Sequence, residues 1–442
     1  MRLTVIGTGY LGAVHAACMA ELGHEVLGLD VDQAKIDLLG RGRAPFFEPG
    51  LPELLNRGIA NGRLRFTTSF AEAGLFADVH FICVGTPQSA GSDAADLRYV
   101  DSAVEQLARN TSGPCLVVGK STVPVGTAAR LDALANSLVP AGQKLTMAWN
   151  PEFLREGFAV RDTLHPDRIV VGARTSDAVD VLRQVFAPVV ERGAPFVVTD
   201  LATAELVKVA ANAFLATKIS FINAMAEVCE ATGADVVTLA TALGHDPRIG
   251  SRFLSSGLGF GGGCLPKDIR AFTARATELG VGHAVGFLHE VDDINLRRRR
   301  RVVDLARQMM GATVSGRRVA VLGAAFKPDS DDIRDSPALD VAASLRSQGA
   351  EVRVHDPQAV ENARAAFPSL DFSTEVAKVT EQAHLVLHLT AWQEYRTLDP
   401  SFLLDLVAEP RVLDARNSLD LDRWRHAGWT VQALGRPLQP CS

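Results

Sequence analysis

The stretch "RLTVIGTGYLGAVHAACMAELGHEVLGLD", Arg2 to Asp30, decides the fold class. Its opening, "RLTVIG", is apolar and β-branched and reads as a strand; "YLGAVHAACMAELG" reads as a helix stopped at Gly23; "EVLGLD" reads as a second strand ending on Asp30. This is a βαβ unit. Between its first strand and its helix, Gly7, Gly9 and Gly12 make a GxGxxG turn, with Tyr10 and Leu11 inside it. Glycines there permit a tight turn and close approach of a pyrophosphate to the backbone, and the helix N-terminus supplies unpaired N–H groups. Asp30 stands where a carboxylate can accept hydrogen bonds from both ribose hydroxyls and repel a 2′-phosphate, so the unit predicts NAD rather than NADP. A glycine turn used only for packing is the bland alternative.

The same texture continues outward. "DVHFICVGTP" is an apolar strand closed by a turn, and "PCLVVGKSTVPVGT" is a strand feeding a loop. From Leu201 to about Thr232 the chain has neither proline nor glycine, and it stops at Gly233; Thr199 or Asp200 can cap its start. At about 1.5 Å per residue such a helix spans on the order of 45 Å, more than one small domain needs, so it bridges domains and offers an apolar face to a second subunit. After residues 311–317 the pattern restarts: "RRVAVLGAAF" is a strand, a helix follows near Pro337–Gln348, "AEVRVHDP" is a strand ending on Asp356, and "HLVLHLTAWQEY" echoes "DVHFICVGTP". The second half lacks the glycine spacing. The expected fold is α/β, two Rossmann-like doubly wound domains joined by a long central helix, with boundaries at 1–198, 199–310 and 311–442.

Composition fits a multidomain globular chain: 442 residues, 47% apolar and 22% charged, with a net charge of −6. That balance predicts no polyanion partner and no nucleic acid. Arg297–Arg301 are consecutive, but successive helical residues turn about 100°, so they ring the axis and read as a solvated helix turn. The N-terminus has no secretory pattern and no uncharged apolar run reaches about 18 residues, so a cytoplasmic protein without a membrane span is expected. Six cysteines without CxxC pairs or His/Cys clusters predict reduced thiols and no metal site.

Four cysteines need no chemistry: Cys18 and Cys229 lie in helices, Cys83 within a strand, and Cys115 at a strand start; Cys441 is in the C-terminal tail. Cys264 differs. In "GFGGGCLPKD", Gly259–Asp268, glycines strip side chains from its surroundings and let a ligand approach, while nearby Lys267 favours the nucleophilic thiolate. Lys208 and Asn212 lie one turn apart in apolar surroundings, a poor place for a surface lysine; a buried lysine can move a proton and an Asn amide can donate to an oxyanion. A solvated stripe is the alternative. "WNPEFLREG" places Glu152 and Glu156 four apart, and "KSTVPVGT" places Thr122 at a strand end; both are where doubly wound folds bind ligands, and helix capping explains either alone equally well.

Taken together, "GTGYLG", "FICVGTP", "STVPVGT", "NPEFLREG", "HPDRIVVG", "KVAANAFLATKISFINAMAE", "DPRIG", "GFGGGCLPKD", "FKPDSDDIRDSP" and "DARN" make the chain similar, over nearly its whole length, to the UDP-glucose/GDP-mannose dehydrogenase family, most closely to members acting on UDP-glucose. The resemblance implies oxidation of a primary alcohol twice, to a carboxylate, with two NAD and one site. It implies that Cys264 captures the intermediate aldehyde as a thiohemiacetal that becomes a thioester. Lys208, Asp268 and a water would handle protons of the first oxidation, with Lys208 and Asn212 holding the oxyanion. Glu152 would assist hydrolysis and Thr122 would position the water network. It further implies an NAD site built from the glycine turn with Tyr10 and Leu11, Asp30, Lys35, Thr86, Thr122, Glu156, Lys267 and Arg334. The sugar nucleotide would be held by Phe153, Leu154, Lys208, Asn212, Phe253, the backbone from Ser255 to Gly261, Phe326, Lys327 and Arg416. Arg248 would reach the sugar of a neighbouring subunit, making a homodimer part of the site.

Three other readings remain open at this level. A GDP-mannose 6-dehydrogenase would share every catalytic residue and differ at the base pocket. A single-oxidation β-hydroxyacid dehydrogenase would need neither Cys264 nor a second α/β half. A nucleotide-sugar-binding protein without catalysis would have no use for Cys264, Lys208, Asn212 and Asp268 together.

Overall fold

Strand β1 (Arg2–Ile6) lies inside an eight-stranded sheet with β2 (Glu25–Leu29), β3 (Leu64–Thr67), β4 (Val79–Ile82), β5 (Cys115–Gly119), β6 (Leu145–Trp149), β7 (Ile169–Ala173) and β8 (Phe196–Thr199). The order is β3-β2-β1-β4-β5-β6-β7-β8. All pairs are parallel except β6 with β7. A parallel sheet covered on both faces needs apolar side chains pointing both ways, and β1 supplies them: Leu3 and Val5 enter one core, Ile6 the other. The intervening Thr4 is satisfied by His80, Oγ1 to Nδ1 at 2.6 Å. The connection from β1 to β2 is helix α1 (Tyr10–Glu21), whose Gly12–Ala20 segment is buried throughout. Helix and strands fall where the opening stretch predicts.

In this computed structural model, which describes residues 1–140 and 143–437, the second sheet repeats the topology of the first. It comprises β9 (Arg318–Leu322), β10 (Glu351–His355), β11 (Asp371–Ser373), β12 (Leu385–His388), β13 (Arg411–Asp414) and β14 (Thr430–Ala433). Its order, β11-β10-β9-β12-β13-β14, is the same 3-2-1-4-5-6 winding, parallel throughout. The long run is helix α2 (Leu201–Thr232), and Asp200 is its cap, accepting from the Thr203 N–H at 2.9 Å. Later helices are α3 (Leu265–Glu278), α4 (Phe287–Met309) and α5 (Pro337–Ser347).

The chain divides into two compact units, Met1–Ala211 with Arg270–Gly282, and Asn212–Ile269 with His283–Ser442. The division runs through α2 and α3. Leu201 and Ala204 of α2 enter a core of the first unit, while Ile222, Ala226 and Cys229 form one in the second. By length and composition α2 could cross a membrane, with a mean hydropathy of 1.3. Its buried polar residues argue for packing inside the protein: Glu205 accepts from the N–H groups of Gly126 and Ala128, and Asn223 from that of Gly257.

Two sequence expectations are corrected. The five arginines of α4 do ring the axis, but they are not a solvated turn: Arg298 has no exposed surface and Arg299 is buried. Arg298 faces Glu227 and Glu230 of α2 at 3.8 and 3.6 Å, and Arg299 pairs with Asp335 and Asp340. Cys83 is not within a strand, since β4 ends at Ile82, although it is buried as expected. Cys441 falls outside the described residues.

Candidate active site

In the first unit the glycine turn has the shape a dinucleotide needs. A Cβ on Gly12 would lie 1.8 Å from the Gly7 carbonyl oxygen, so only glycine lets α1 start this close to β1. A Cβ on Gly9 would meet nothing within 4 Å, which leaves open space beside the first N–H groups of α1. That cradle fits the pyrophosphate of NAD. Asp30 closes it: Oδ2 accepts from the Thr8 N–H (2.8 Å) and from Lys35 Nζ (2.9 Å), while Oδ1 takes the Asp32 N–H at 3.2 Å. Burial raises the Asp30 pKa, but Lys35 and the backbone donors outweigh it, leaving the carboxyl below its usual range. Oδ1 keeps acceptor capacity for a ribose hydroxyl.

Beyond the turn, Thr86 and Thr122 are tied together after β4 and β5, with the Thr86 hydroxyl donating to the Thr122 carbonyl at 2.8 Å. The Glu152 loop follows β6. Glu152 Oε2 accepts the Leu154 N–H at 2.6 Å, and Oε1 pairs with Lys208 Nζ at 2.9 Å. Neither this glutamate nor Glu156 caps a helix; the next helix begins at Ala159 without a side-chain cap. Lys208 is buried, which rules out the solvated stripe. Phe153 and Leu154 pack outward from the loop into different cores, and the Phe153 ring carries the Arg168 guanidinium at 3.7 Å and Lys208 Nζ at 5.7 Å.

In the second unit Cys264 immediately precedes α3 and is exposed, whereas Cys18, Cys83, Cys115 and Cys229 are buried. Asp268, in the first turn of α3, is 2% exposed; its Oδ2 accepts from Asn212 Nδ2 at 2.6 Å and its Oδ1 from Lys267 Nζ at 2.6 Å. Lys267, three residues after the thiol, is thus paired with Asp268. The glycines ahead of Cys264 also do more than clear space. Gly259, at φ +100°, accommodates the Asn295 side chain, and a Cβ on Gly263 would strike the Arg334 guanidinium at 2.3 Å. Asn295 grips the loop at one peptide, accepting the Phe260 N–H at 2.7 Å and donating to its carbonyl at 3.0 Å.

A cavity of about 690 Å³ opens in this unit beside Ser255, Gly257, Gly259, Phe326, Lys327 and Arg416. One wall is apolar, with Ile219, Val237, Ala240 and Leu254. Arg416 is half-buried; its guanidinium donates to the carbonyls of Leu389 (2.6 Å), Gly259 (2.8 Å) and Phe326 (3.3 Å), so it fastens three segments as well as lining the space. Burial first, then the neighbouring Arg299 charge, pulls its pKa down to about 10. Phe253 and Gly261 do not line this cavity. Phe253 holds a left-handed backbone, φ 64°, and Gly261 is buried against Asp335. The Arg248 guanidinium is tied to Asp246 by three hydrogen bonds and projects into solvent. Arg334 is likewise forked onto Asp332.

Several polar residues escape the sequence reading. Lys120 and Asn150 sit at the ends of β5 and β6, Nζ to Oδ1 at 2.8 Å, and burial brings Lys120 down to about 8. Their neighbours Thr122 and Glu152 draw the eye; a lysine and an asparagine closing two apolar strands were the available signal.

Comparison with known proteins agrees with this geometry. Models of the UDP-glucose/GDP-mannose dehydrogenase family match in order: the NAD binding domain over residues 1–190, the central domain over 202–297 and the UDP binding domain over 320–421. The UDP-glucose 6-dehydrogenase of Rhizobium meliloti is 41% identical over 439 residues, 99% of this chain and 100% of that protein. A UDP-glucose 6-dehydrogenase of Bacillus subtilis is 39% identical over 437 residues, 99% of this chain and 98% of that protein. The solved structure of a UDP-glucose dehydrogenase from the archaeon Pyrobaculum islandicum is similar with a TM-score of 0.91 at 39% identity, covering 98% of each chain. The chain belongs to the UDP-glucose/GDP-mannose dehydrogenase family.

Proposed function

We propose that this protein is an NAD-dependent dehydrogenase that oxidises the primary alcohol of UDP-glucose twice, to the carboxylate of UDP-glucuronate, through a thioester on Cys264. The observation that carries the reading is the setting of that thiol: exposed, at the head of α3, with buried Asp268 in the first turn behind it bonded to Asn212. A helix N-terminus stabilises negative charge, which favours both a thiolate and a developing alkoxide there.

NAD, when bound on the glycine turn, supplies the hydride acceptor for each oxidation. Lys208, Asp268 and a water take the hydroxyl proton in the first. The Cys264 thiol then adds to the aldehyde: an S–C bond forms and the carbonyl oxygen takes the proton, giving a thiohemiacetal. Lys208 and Asn212 hold that oxygen as the second oxidation converts the adduct to a thioester. Glu152, paired with Lys208, removes a proton from water as it attacks; the C–S bond breaks and the thiol is restored. In sum, one alcohol, one water and two NAD give one carboxylate, two NADH and three protons.

Residues 1–198 serve as the NAD region, 199–310 as the catalytic and pairing region, and 311–442 as the UDP-sugar region. The cavity beside Ser255, Lys327 and Arg416 supports the last assignment, since lysine and arginine suit a diphosphate. A homodimer through α2 is supported by Phe214, Phe221 and Val228, exposed side chains seven residues apart and hence on one helix face. Arg248 then extends toward the partner's sugar. We place the enzyme in the cytoplasm, where both nucleotides are available.

The test is NADH formed per sugar nucleotide consumed, with UDP-glucose and GDP-mannose side by side. Two NADH per UDP-glucose is the expected outcome, and Cys264→Ser should lose that stoichiometry and stall at the aldehyde level. Full two-NADH turnover by Cys264→Ser would remove the thiol from the mechanism, and preference for GDP-mannose would move the assignment to the other branch of the family.

A further inference from the structure

The segment "APFFEPG", Ala44 to Gly50, takes no part in the chemistry above, yet it holds a buried carboxylate between two functional loops. Glu48 is 3% exposed. Its Oε2 accepts from the Tyr10 hydroxyl, in a short hydrogen bond, and from the Gly157 N–H at 2.7 Å; its Oε1 accepts from the Val160 N–H at 3.2 Å. The Gly157 N–H also reaches the Tyr10 oxygen, at 3.0 Å. Tyr10 is the first residue of α1, inside the pyrophosphate turn, and Phe46 packs on its ring with centroids 4.8 Å apart. Gly157 ends the loop that begins at Glu152, and Val160 lies in the first turn of the helix that follows it, Ala159–Leu164. Arg155 of that loop is forked onto Asp162 of the helix at 2.8 and 2.6 Å, which ties the loop to the helix that follows it.

We propose that Glu48 is a positioning residue that couples the cofactor turn to the Glu152 loop, so that NAD on the turn and the catalytic orientation of Glu152 stabilise one another. An ionised carboxylate only accepts, and here all three donors come from the two elements being joined. Burial, and then the bond to Glu48, hold the Tyr10 hydroxyl protonated as a donor. A pyrophosphate that fixes the first turn of α1 fixes the Tyr10 hydroxyl, through it Glu48, and through Glu48 the N–H groups of Gly157 and Val160. Linkage makes this reciprocal: whatever ordering NAD imposes on the loop, an ordered loop returns as tighter NAD binding. A double oxidation exchanges its cofactor while the sugar stays bound, so a base that is in place only when the turn is filled has an evident use. The inference rests on the NAD and Glu152 roles above, but its test needs no sugar nucleotide and so fails separately from the UDP-glucose reading.

The experiment is amide hydrogen exchange of the full-length protein with and without NADH, followed in the peptide covering residues 153–160, with NADH affinity measured by fluorescence titration. In the parent, NADH should slow exchange in that peptide at least about fivefold, the lower end of usual coupling. Tyr10→Phe removes one donor and keeps the ring and both backbone partners of Glu48; it should cut the slowing below about twofold and weaken NADH about fivefold. Glu48→Gln should behave alike, and Tyr10→Phe keeps the test intact if that variant folds poorly. No slowing in the parent, or full slowing in Tyr10→Phe, would overturn the coupling and leave Glu48 a fixed strut.

Discussion

The two sheets wind in the same order, and each puts an aspartate after its second strand, but the two carboxylates do opposite work. Asp30 takes Lys35 and the Thr8 N–H on one oxygen and keeps the other lightly engaged. Asp356 is saturated: Oδ2 accepts from the N–H groups of Ala324 and Ala325 and from Trp392 Nε1, and Oδ1 from those of Gln358 and Ala359. The N–H groups of Ala324 and Ala325 belong to the turn after β9, the counterpart of the glycine turn after β1. Where the first unit leaves its turn to a ligand's phosphates, the second fills it with its own side chain. The reason lies just downstream. In the first unit α1 starts at Tyr10, inside the turn; in the second, the chain runs on from Gly323 to Ser336 before α5 begins, and the α5 cap, Ser336, returns to donate its hydroxyl to the Ala324 carbonyl at 2.6 Å. The donors and acceptors of the second turn are thus taken by the protein itself, an aspartate on its N–H groups and a serine on its carbonyl, which leaves none of them for a pyrophosphate.

If that contrast holds, damage to the two aspartates must separate stability from cofactor use. Asp356→Asn presents an amide NH₂ to donors that need an acceptor, in a site 1% exposed. Hydrogen bonds to a buried charge contribute roughly 1.5–3 kcal/mol each and are not additive, so a loss of about 3 kcal/mol is expected. That corresponds to a Tm lower by about 6–12 °C for a unit of this size. KM for NAD should stay within about twofold of the parent; a marked rise would mean the second turn does handle cofactor. Asp30→Ala should do the reverse. It releases Lys35 toward a 2′-phosphate, and the ratio of kcat/KM for NAD over NADP should fall at least about tenfold, or about 1.4 kcal/mol, with little change in Tm. An unchanged ratio would mean that other groups choose the cofactor.

This contrast also marks what can be read without coordinates. Gly7, Gly9, Gly12 and Asp30 are legible because their function depends on backbone geometry within thirty residues of one another. The echo of that unit after residue 317 is legible too, as alternating texture. What Asp356 does is not, because Trp392 reaches it from beyond β12 and the two alanine N–H groups carry no side-chain signal. Arg298 and Arg299 look like surface charge for the same reason: their partners Glu227, Glu230, Asp335 and Asp340 are distant in sequence. The glycines before Cys264 read in the sequence as room for a ligand, and several are room for Asn295, Phe326 and Arg334. Composition reports that a backbone must be approached closely; only the fold says by what.

The smallest effect concerns the fifth strands, where each unit places a cation just past the strand end. Lys120 follows β5 and is brought to about 8 by burial; Arg416 follows β13 and is brought to about 10. Below about pH 8 Lys120 is protonated in both folded and unfolded chains, and burying its charge costs the folded state. Between about 8 and the usual lysine value near 10.4, the folded state has released the proton and the unfolded state still binds it. The unfolded state then holds more protons, so this group makes stability rise with pH, by at most about 1.4 kcal/mol per unit. Arg416 stays charged until about 10 and adds no such rise over pH 8–9.5. Urea unfolding at pH 7.5, 8.5 and 9.5 should therefore show the stability difference between parent and Lys120→Met growing with pH. A flat difference would mean that Lys120 keeps its proton and that both strand ends carry permanent charge.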